Sequence, residues 1–244
     1  MAVVYLDESL LLNEKDIYYN KDKFDSGEIN LCFITGLSGS GKSTMSREMA
    51  KQKKIEHVGL DWIGCCKDHF TLLELKDRSM MAYSYFTGPG KRFFRTKKEL
   101  IDILSQNAEK NGINCYYFTL YREFITFALK YSSSHKDKKY IIEGVQLYYP
   151  DDGNGSLFKP SEFDNCAFYI KGTSVLISKI RAAKRDSRYG FIKGKEVEEV
   201  FDTKTRIKNF IKLMSSNWKY TLIQENKIKE FRNYFKNKMK ENKE

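Results

Sequence analysis

The sequence predicts an α/β fold built on a mainly parallel sheet with helices on both faces. Short apolar runs typical of buried strands alternate with longer segments whose apolar residues recur at helical spacing. A glycine-rich loop joins one such strand to the helix that follows it. Strands separated by helices indicate right-handed parallel crossovers, and ligands then bind beyond the carboxyl ends of the strands.

The glycine-rich loop carries the most specific motif. The loop matches the pattern G-x-x-x-x-G-K-[ST], with its fixed positions at Gly36, Gly41, Lys42 and Ser43. It lies between a predicted strand at 29–35 and a predicted helix at 43–54. Glycines allow close approach to an anion, and successive amides with the helix N-terminus attract phosphate. The residues expected to bind the phosphates of ATP or GTP are Gly36, Leu37, Ser38, Gly39, Ser40, Gly41, Lys42, Ser43 and Thr44.

Composition narrows the class of protein. The chain has 244 residues, 41% of them hydrophobic, which suits one α/β domain with additions. No apolar run approaches the roughly 20 residues of a membrane span, and the five scattered cysteines predict reduced thiols in the cytoplasm. The net charge of +11 favours an anionic partner, either a nucleotide or a nucleic acid, although a solvated lysine-rich surface also explains the tail.

The pattern divides the chain into three parts. Residues 1–28 are expected to be an extension that packs on the sheet, with a strand at 3–6. Residues 29–223 form the main domain, and 224–244 form a basic C-terminal helix. Within the main domain, further strands are predicted at 56–60, 139–144, 165–170 and 219–223. Helices are predicted at 97–110, 117–131, 174–188 and 196–216.

Two strand ends carry carboxylates. The apolar run ending at Glu143 is typical of a Walker B element, so Ser43 and Glu143 are predicted to hold Mg²⁺, directly or through water. Asp61 ends the neighbouring strand and is predicted to accept a proton from, or bind, the substrate. The alternatives are an exposed glutamate and a helix-capping aspartate.

The helix predicted at 174–188 has a strongly basic face. Arg181, Arg185 and Arg188 are spaced four and three apart, so their guanidinium groups share one face and can clamp a transferring phosphoryl group. Gly190 and Gly194 would let a lid at about 174–195 close. The alternative is a solvated basic surface.

These features together resemble the small P-loop kinases, including nucleoside and nucleotide kinases and the uridine-kinase-like and zeta-toxin-like groups. The resemblance covers 29–223, and the Glu143-Gly144 pair is similar to that of the last two groups. It implies a P-loop NTPase fold with a five-stranded sheet of order 2-3-1-4-5. It also implies that the arginine-rich helix is a lid and that Asp61 is the base or a substrate ligand.

The leading prediction is an ATP- and Mg²⁺-dependent phosphotransferase that moves the γ-phosphate to a hydroxyl or phosphate of a small nucleoside- or nucleotide-like acceptor. Lys42, Asp61, Arg181, Arg185 and Arg188 are its expected catalytic residues. A polynucleotide 5′-end kinase and a zeta-toxin-like sugar-nucleotide kinase are alternatives. An ATP-dependent switch or NTPase acting on a protein or nucleic-acid partner is a further alternative, as is a nucleic-acid-binding module.

Overall fold

The computed structural model describes residues 11–53, 55–60, 138–148, 158–188, 202–216 and 218–242, together with scattered helical residues between 121 and 136. Its strands are β1 (Ile17–Tyr19), β2 (Leu31–Thr35), β3 (Glu56–Gly59), β4 (Tyr140–Glu143) and β5 (Ala167–Ile170). Its longer helices are α1 (Lys21–Ser26), α2 (Lys42–Lys53), α3 (Val175–Asp186), α4 (Thr203–Ser215) and α5 (Trp218–Glu241). Short 3-10 helices lie at Val145–Tyr148 and Pro160–Phe163.

The five strands form one mixed sheet in the order β1-β5-β2-β4-β3. Strand β2 lies between β4 and β5 and is parallel to both, and β3 pairs in parallel with β4. Strand β1 pairs antiparallel with the outer edge of β5. The glycine-rich loop therefore leaves the central strand of the sheet, with the carboxyl ends of β4 and β5 on either side of it.

Side chains of β2 alternate between two apolar cores, as the pleat of a strand requires. Leu31 and Phe33 belong to a large aromatic core that also contains Phe168 of β5 and Phe235 of α5. The rings of Phe168 and Phe235 stack with centroids 4.6 Å apart. On the opposite face, β2 packs with the smaller core that includes Ala50 of α2. Because β2 is buried on both faces, its position is tightly determined.

The predicted fifth strand at 219–223 is wrong, because these residues belong to α5. Helix α5 buries one stripe at helical spacing, which includes Ile228, Phe231 and Phe235, against the aromatic core. Helix formation starts at Trp218, so the boundary expected between 223 and 224 falls inside a helix. The tail is basic in sequence, but its apolar face forms part of the core.

The N-terminal segment supplies the edge strand that 219–223 was expected to supply. After β1, Asn20 adopts φ 52°, and its side chain donates to the carbonyl oxygens of Asp164 and Cys166. Arg232 of α5, which is buried, donates to the carbonyl of Lys15 at 2.6 Å. The strand expected at 3–6 lies outside the described residues.

Asp16 fastens the same segment to the end of β5. Its carboxylate accepts hydrogen bonds from the Tyr169 hydroxyl, from Lys171 Nζ at 2.9 Å and from the Gly172 amide at 2.7 Å. Burial alone would raise the pKa of Asp16, but these hydrogen bonds hold it below its ordinary value. These bonds hold the segment that leads from β5 to α3 against the N-terminal residues.

Two capped helices follow β5. The Ser174 hydroxyl accepts from the Ile177 amide at the start of α3, and Asp202 accepts from two amides at the start of α4. Helix α4 occupies the second part of the helix predicted at 196–216, and the helix predicted at 97–110 lies outside the described residues. Within the described part of the chain, no helix is both long and apolar enough to cross a bilayer.

Candidate functional site

The loop at 36–44 forms a turn between β2 and α2 in which three glycines adopt positive φ. These are Gly36 at φ 156°, Gly39 at φ 86° and Gly41 at φ 91°, conformations that side chains rarely adopt. A Cβ at Gly41 would meet no atom within 4 Å, so the loop faces open space there. The hydroxyl of Ser40 is buried and has no hydrogen-bond partner within the described part of the chain. The loop therefore offers both space and a hydrogen-bonding group to a ligand.

Lys42 and Ser43 start helix α2 at this loop. The Lys42 side chain is only 6% exposed, an unusual position for an ammonium group. Ser43 Oγ donates to Glu143 Oε2 at 3.2 Å. Glu143 is 3% exposed and ends β4, where it lies opposite Ile34 of β2 in the parallel register. The structure thus brings together the hydroxyl and the carboxylate that the sequence assigned to Mg²⁺.

Two hydrogen bonds that the sequence did not predict hold the loop against the segment after β4. The Thr35 hydroxyl donates to the carbonyl of Gly144 at 2.8 Å. The Tyr148 hydroxyl, in a fully buried side chain, donates to the carbonyl of Gly36 at 3.1 Å. Tyr148 lies five residues after Glu143 in an apolar run, and no local pattern marks it as a loop contact. These bonds fix the first turn of the loop relative to Glu143.

Strand β3 approaches the second oxygen of the Glu143 carboxylate. A Cβ at Gly59 would lie 3.3 Å from Glu143 Oε1, so the glycine leaves room for that oxygen. Leu60 packs closely on Gly144. Asp61, the predicted base or substrate ligand, follows directly and lies outside the described residues. The chain therefore leaves β3 at the edge of the sheet where Glu143 ends its own strand.

His57 of β3 contacts helix α2. Its Nε2 is 3.0 Å from the hydroxyl of Ser46, which is fully buried. Burial lowers the pKa of His57 below its ordinary value of 6.5, and the nearby Arg47 charge lowers it further. The neutral imidazole therefore supports the packing of α2 on the sheet beside the loop.

Helix α3 packs directly on the loop at Gly39. A Cβ at Gly39 would lie 2.4 Å from the carbonyl oxygen of Ser178 and 2.9 Å from the amide nitrogen of Ala182. It would also lie 3.3 Å from Cβ of Arg181, so Arg181 is the predicted arginine that the structure places beside the loop. Only a glycine fits this contact.

The other two arginines are placed differently. Arg185 is exposed, and its Nε donates to the adjacent Asp186 at 2.6 Å. Arg188 is exposed and lies beyond the end of α3, where its amide donates to the carbonyl of Arg185. The three guanidinium groups therefore do not share one helical face in this structure, because α3 ends at Asp186.

No family model, curated protein or solved structure matches this chain. Within the described residues, no group of three or more His, Cys, Asp and Glu side chains could hold a metal ion. Mg²⁺ differs from other metals in this respect, since it keeps several waters and needs only one or two carboxylates beside substrate phosphates. The oxygen pair of Ser43 and Glu143 fits that requirement.

Proposed function

We propose that this protein is an ATP-dependent phosphotransferase with a P-loop NTPase fold, and that it transfers the γ-phosphate to a small nucleoside- or nucleotide-like acceptor. The observation that carries the proposal is the 3.2 Å hydrogen bond between Ser43 and Glu143 at the end of the glycine-rich loop. A phosphate-binding motif could occur in a turn without a ligand. A buried carboxylate on a neighbouring strand that accepts from the loop hydroxyl supplies the two oxygen ligands that a phosphate-bound Mg²⁺ needs from the protein.

The loop would hold the triphosphate. Gly41 leaves open space beside the start of α2, where backbone amides and the helix dipole favour an anion. The buried Ser40 hydroxyl is available as a further donor. Lys42 would contact the β- and γ-phosphates, where its charge offsets the negative charge that develops during transfer.

Ser43 and Glu143 would hold Mg²⁺, Glu143 either directly or through a bound water. When bound, the ion would neutralise phosphate charge and orient the terminal phosphate for in-line transfer. Glu143 would contribute a buried carboxylate oxygen, and Ser43 would contribute a neutral oxygen at the helix terminus.

The acceptor would bind on the β3 side of the loop. Its oxygen forms a bond to the γ-phosphorus, the bond from that phosphorus to the β–γ bridging oxygen breaks, and ADP leaves. Asp61 would take the proton when the acceptor is a hydroxyl, and it mainly orients that group. Arg181 is the arginine best placed to meet the phosphates, and Arg185 and Arg188 would join it on movement of the lid.

The described cysteines agree with a cytoplasmic location, which is part of this proposal. Cys32 and Cys166 are both buried and are not joined in a disulfide. Burial raises the pKa of Cys166 to about 12, so its thiolate is scarce at neutral pH and the side chain is chemically inert.

Transfer of labelled γ-phosphate from ATP to a panel of nucleosides, nucleotides, sugars and nucleic-acid ends tests the proposal. We expect Lys42→Ala to reduce transfer by about 10²–10³-fold, the usual cost of removing one transition-state donor. The matched control is Lys51→Ala, which removes an exposed lysine of the same helix and should leave transfer unchanged. Thermal unfolding of both variants separates catalytic loss from misfolding.

A second variant tests the assignment of Glu143 to Mg²⁺. Glu143→Gln keeps the shape of the side chain and removes its charge, so the Mg²⁺ concentration for half-maximal transfer should rise. Equal turnover by Lys42→Ala and Lys51→Ala would refute the kinase proposal. An unchanged Mg²⁺ dependence in Glu143→Gln would refute the metal assignment alone.

A further inference from the structure

A cavity of about 200 Å³ lies beside the loop on its α3 side. Leu37 and Ser38 of the loop form one wall together with Val145, which follows β4, and residues of α3, α4 and α5 form the others. Ser178, which lines the cavity, is the residue whose carbonyl lies against Gly39. The cavity and the loop therefore share a wall, and a ligand held by the loop can extend into the cavity.

Four uncharged polar side chains line this cavity, and two of them, Ser178 and Gln224, are buried. Ser178 is 1% exposed, and its hydroxyl has no hydrogen-bond partner within the described part of the chain. Gln224 of α5 is 5% exposed, and its amide group offers both a donor and an acceptor. Buried polar groups in native proteins are nearly always satisfied, so the Ser178 hydroxyl indicates a ligand group at this position.

The charged groups that line the cavity are already engaged. Lys179 Nζ donates to the carbonyl of Ser216 at 2.7 Å, and burial lowers the pKa of Lys179. Asp186 accepts the hydrogen bond from Arg185. The groups left to recognise a ligand are therefore neutral, and they suit a neutral heterocycle better than an anion.

The direction of the loop places a nucleoside on this side. Ser43 and Glu143, which mark the terminal phosphate and its metal, lie toward β4. Helix α3 follows β5, which flanks β2 on the opposite side. A triphosphate whose outer end faces β4 would therefore direct its base toward α3 and the cavity.

We propose that this cavity binds the nucleobase of the triphosphate and selects adenine through the amide of Gln224, with the Ser178 hydroxyl as a second contact. The inference rests on the proposed function of the loop. The cavity is smaller than the roughly 300–1,000 Å³ of a pocket for a whole ligand, so it suits one ring system. A glutamine amide pairs with the N6 and N7 atoms of adenine. Guanine presents N–H donors that favour a carboxylate, and the carboxylate that lines the cavity, that of Asp186, is 40% exposed and already accepts from Arg185.

Calorimetric titration of the full chain with ATP, GTP and inorganic tripolyphosphate, each with Mg²⁺, tests this inference. Wild type should bind ATP more tightly than GTP or tripolyphosphate. Gln224→Leu should weaken ATP binding by about tenfold or more, remove the preference over GTP and leave tripolyphosphate binding unchanged. Asn226→Leu removes an exposed amide from the same helix and should change none of the three. Ser178→Ala gives the same readout, with a smaller loss, if Gln224→Leu does not fold.

The outcomes separate this inference from the proposed function. Equal wild-type affinity for ATP and tripolyphosphate, or a Gln224→Leu variant that binds ATP as Asn226→Leu does, overturns the base assignment. The loop proposal survives that result if Lys42→Ala loses tripolyphosphate binding. Conversely, base-dependent binding of ATP that persists in Lys42→Ala would keep the cavity assignment and remove the role of the loop.

Discussion

Alanine substitutions at Gly39 and Gly41 should have different consequences, although both glycines adopt nearly the same φ. A Cβ at Gly39 would overlap backbone atoms of Ser178 and Ala182, which cannot rotate away. A Cβ at Gly41 would enter open space. The first substitution therefore tests the packing of α3 on the loop, and the second tests whether that open space receives phosphate.

The expected magnitudes follow from these two geometries. The positive φ alone costs an alanine about 1–2 kcal/mol at either position. At Gly39 the overlap with α3 adds about 1–3 kcal/mol, the usual range for overpacking. We therefore expect Gly39→Ala to lower the free energy of unfolding by about 2–5 kcal/mol and Gly41→Ala by about 1–2 kcal/mol.

Urea unfolding measures both values, provided that the m-value is unchanged between variants. In calorimetry, Gly41→Ala should lose most of its ATP affinity while it remains folded, because its methyl group would occupy the space proposed for phosphate. Equal destabilisation by the two substitutions would show that α3 does not pack on Gly39. Full ATP affinity in Gly41→Ala would show that phosphate does not bind there.

Three further predictions concern charge. Because the pKa of His57 is lowered by burial and Arg47, the unfolded chain binds its proton more readily, and stability should fall as the pH drops below about 6.5. His57→Gln should flatten that dependence in urea titrations, and an unchanged slope would contradict the burial argument. Asp16 has a lowered pKa, so Asp16→Asn should reduce stability at neutral pH, with the difference shrinking below pH 3.8. A constant difference would exclude ionisation as its cause. Arg185→Ala removes an exposed pair with Asp186 worth about 0–1 kcal/mol, so Tm should stay nearly constant. Transfer should fall, because Arg185 is proposed to contact the phosphates when the lid moves. A large drop in Tm would assign Arg185 to packing.

The secondary-structure elements next to the loop could be predicted from the sequence, because residues close together in the chain indicate each of them. A strand, a glycine-rich turn and a helix start adjoin each other around Lys42, and each is indicated by its own residues. Glu143 required only an apolar run that ends in a carboxylate. Its contact with Ser43 followed from the rule that parallel strands bring their carboxyl ends to one edge of a sheet.

The segment that forms the edge strand beside β5 could not be predicted from the sequence, because tertiary contacts determine it. Residues 219–223 contain aromatic and β-branched side chains that favour a strand. They belong instead to the first turns of α5, a helix that is held in place by the burial of Phe231 and Phe235 further along it, and this burial outweighs the local preference. The three residues Ile17–Tyr19 are too few for a periodic signal, and their pairing with β5 spans about 150 positions of sequence.

The arginine face was predicted from spacing alone, which assumes that a helix continues through every member. Helix α3 ends at Asp186, so Arg188 leaves the face that Arg181 and Arg185 were expected to share with it. The contact of Tyr148 with Gly36 likewise has no sequence signal, since it depends on how the segment after β4 folds back. Side chains that act through tertiary contacts are therefore found only in the structure.

The short strand β1 has a consequence for the behaviour of the protein in solution. It covers the outer edge of β5, whose amides and carbonyls would otherwise be open to any extended peptide. Proteolysis near Asn20 would release Ile17–Tyr19 and uncover that edge. A nicked preparation should therefore form edge-to-edge dimers and larger aggregates.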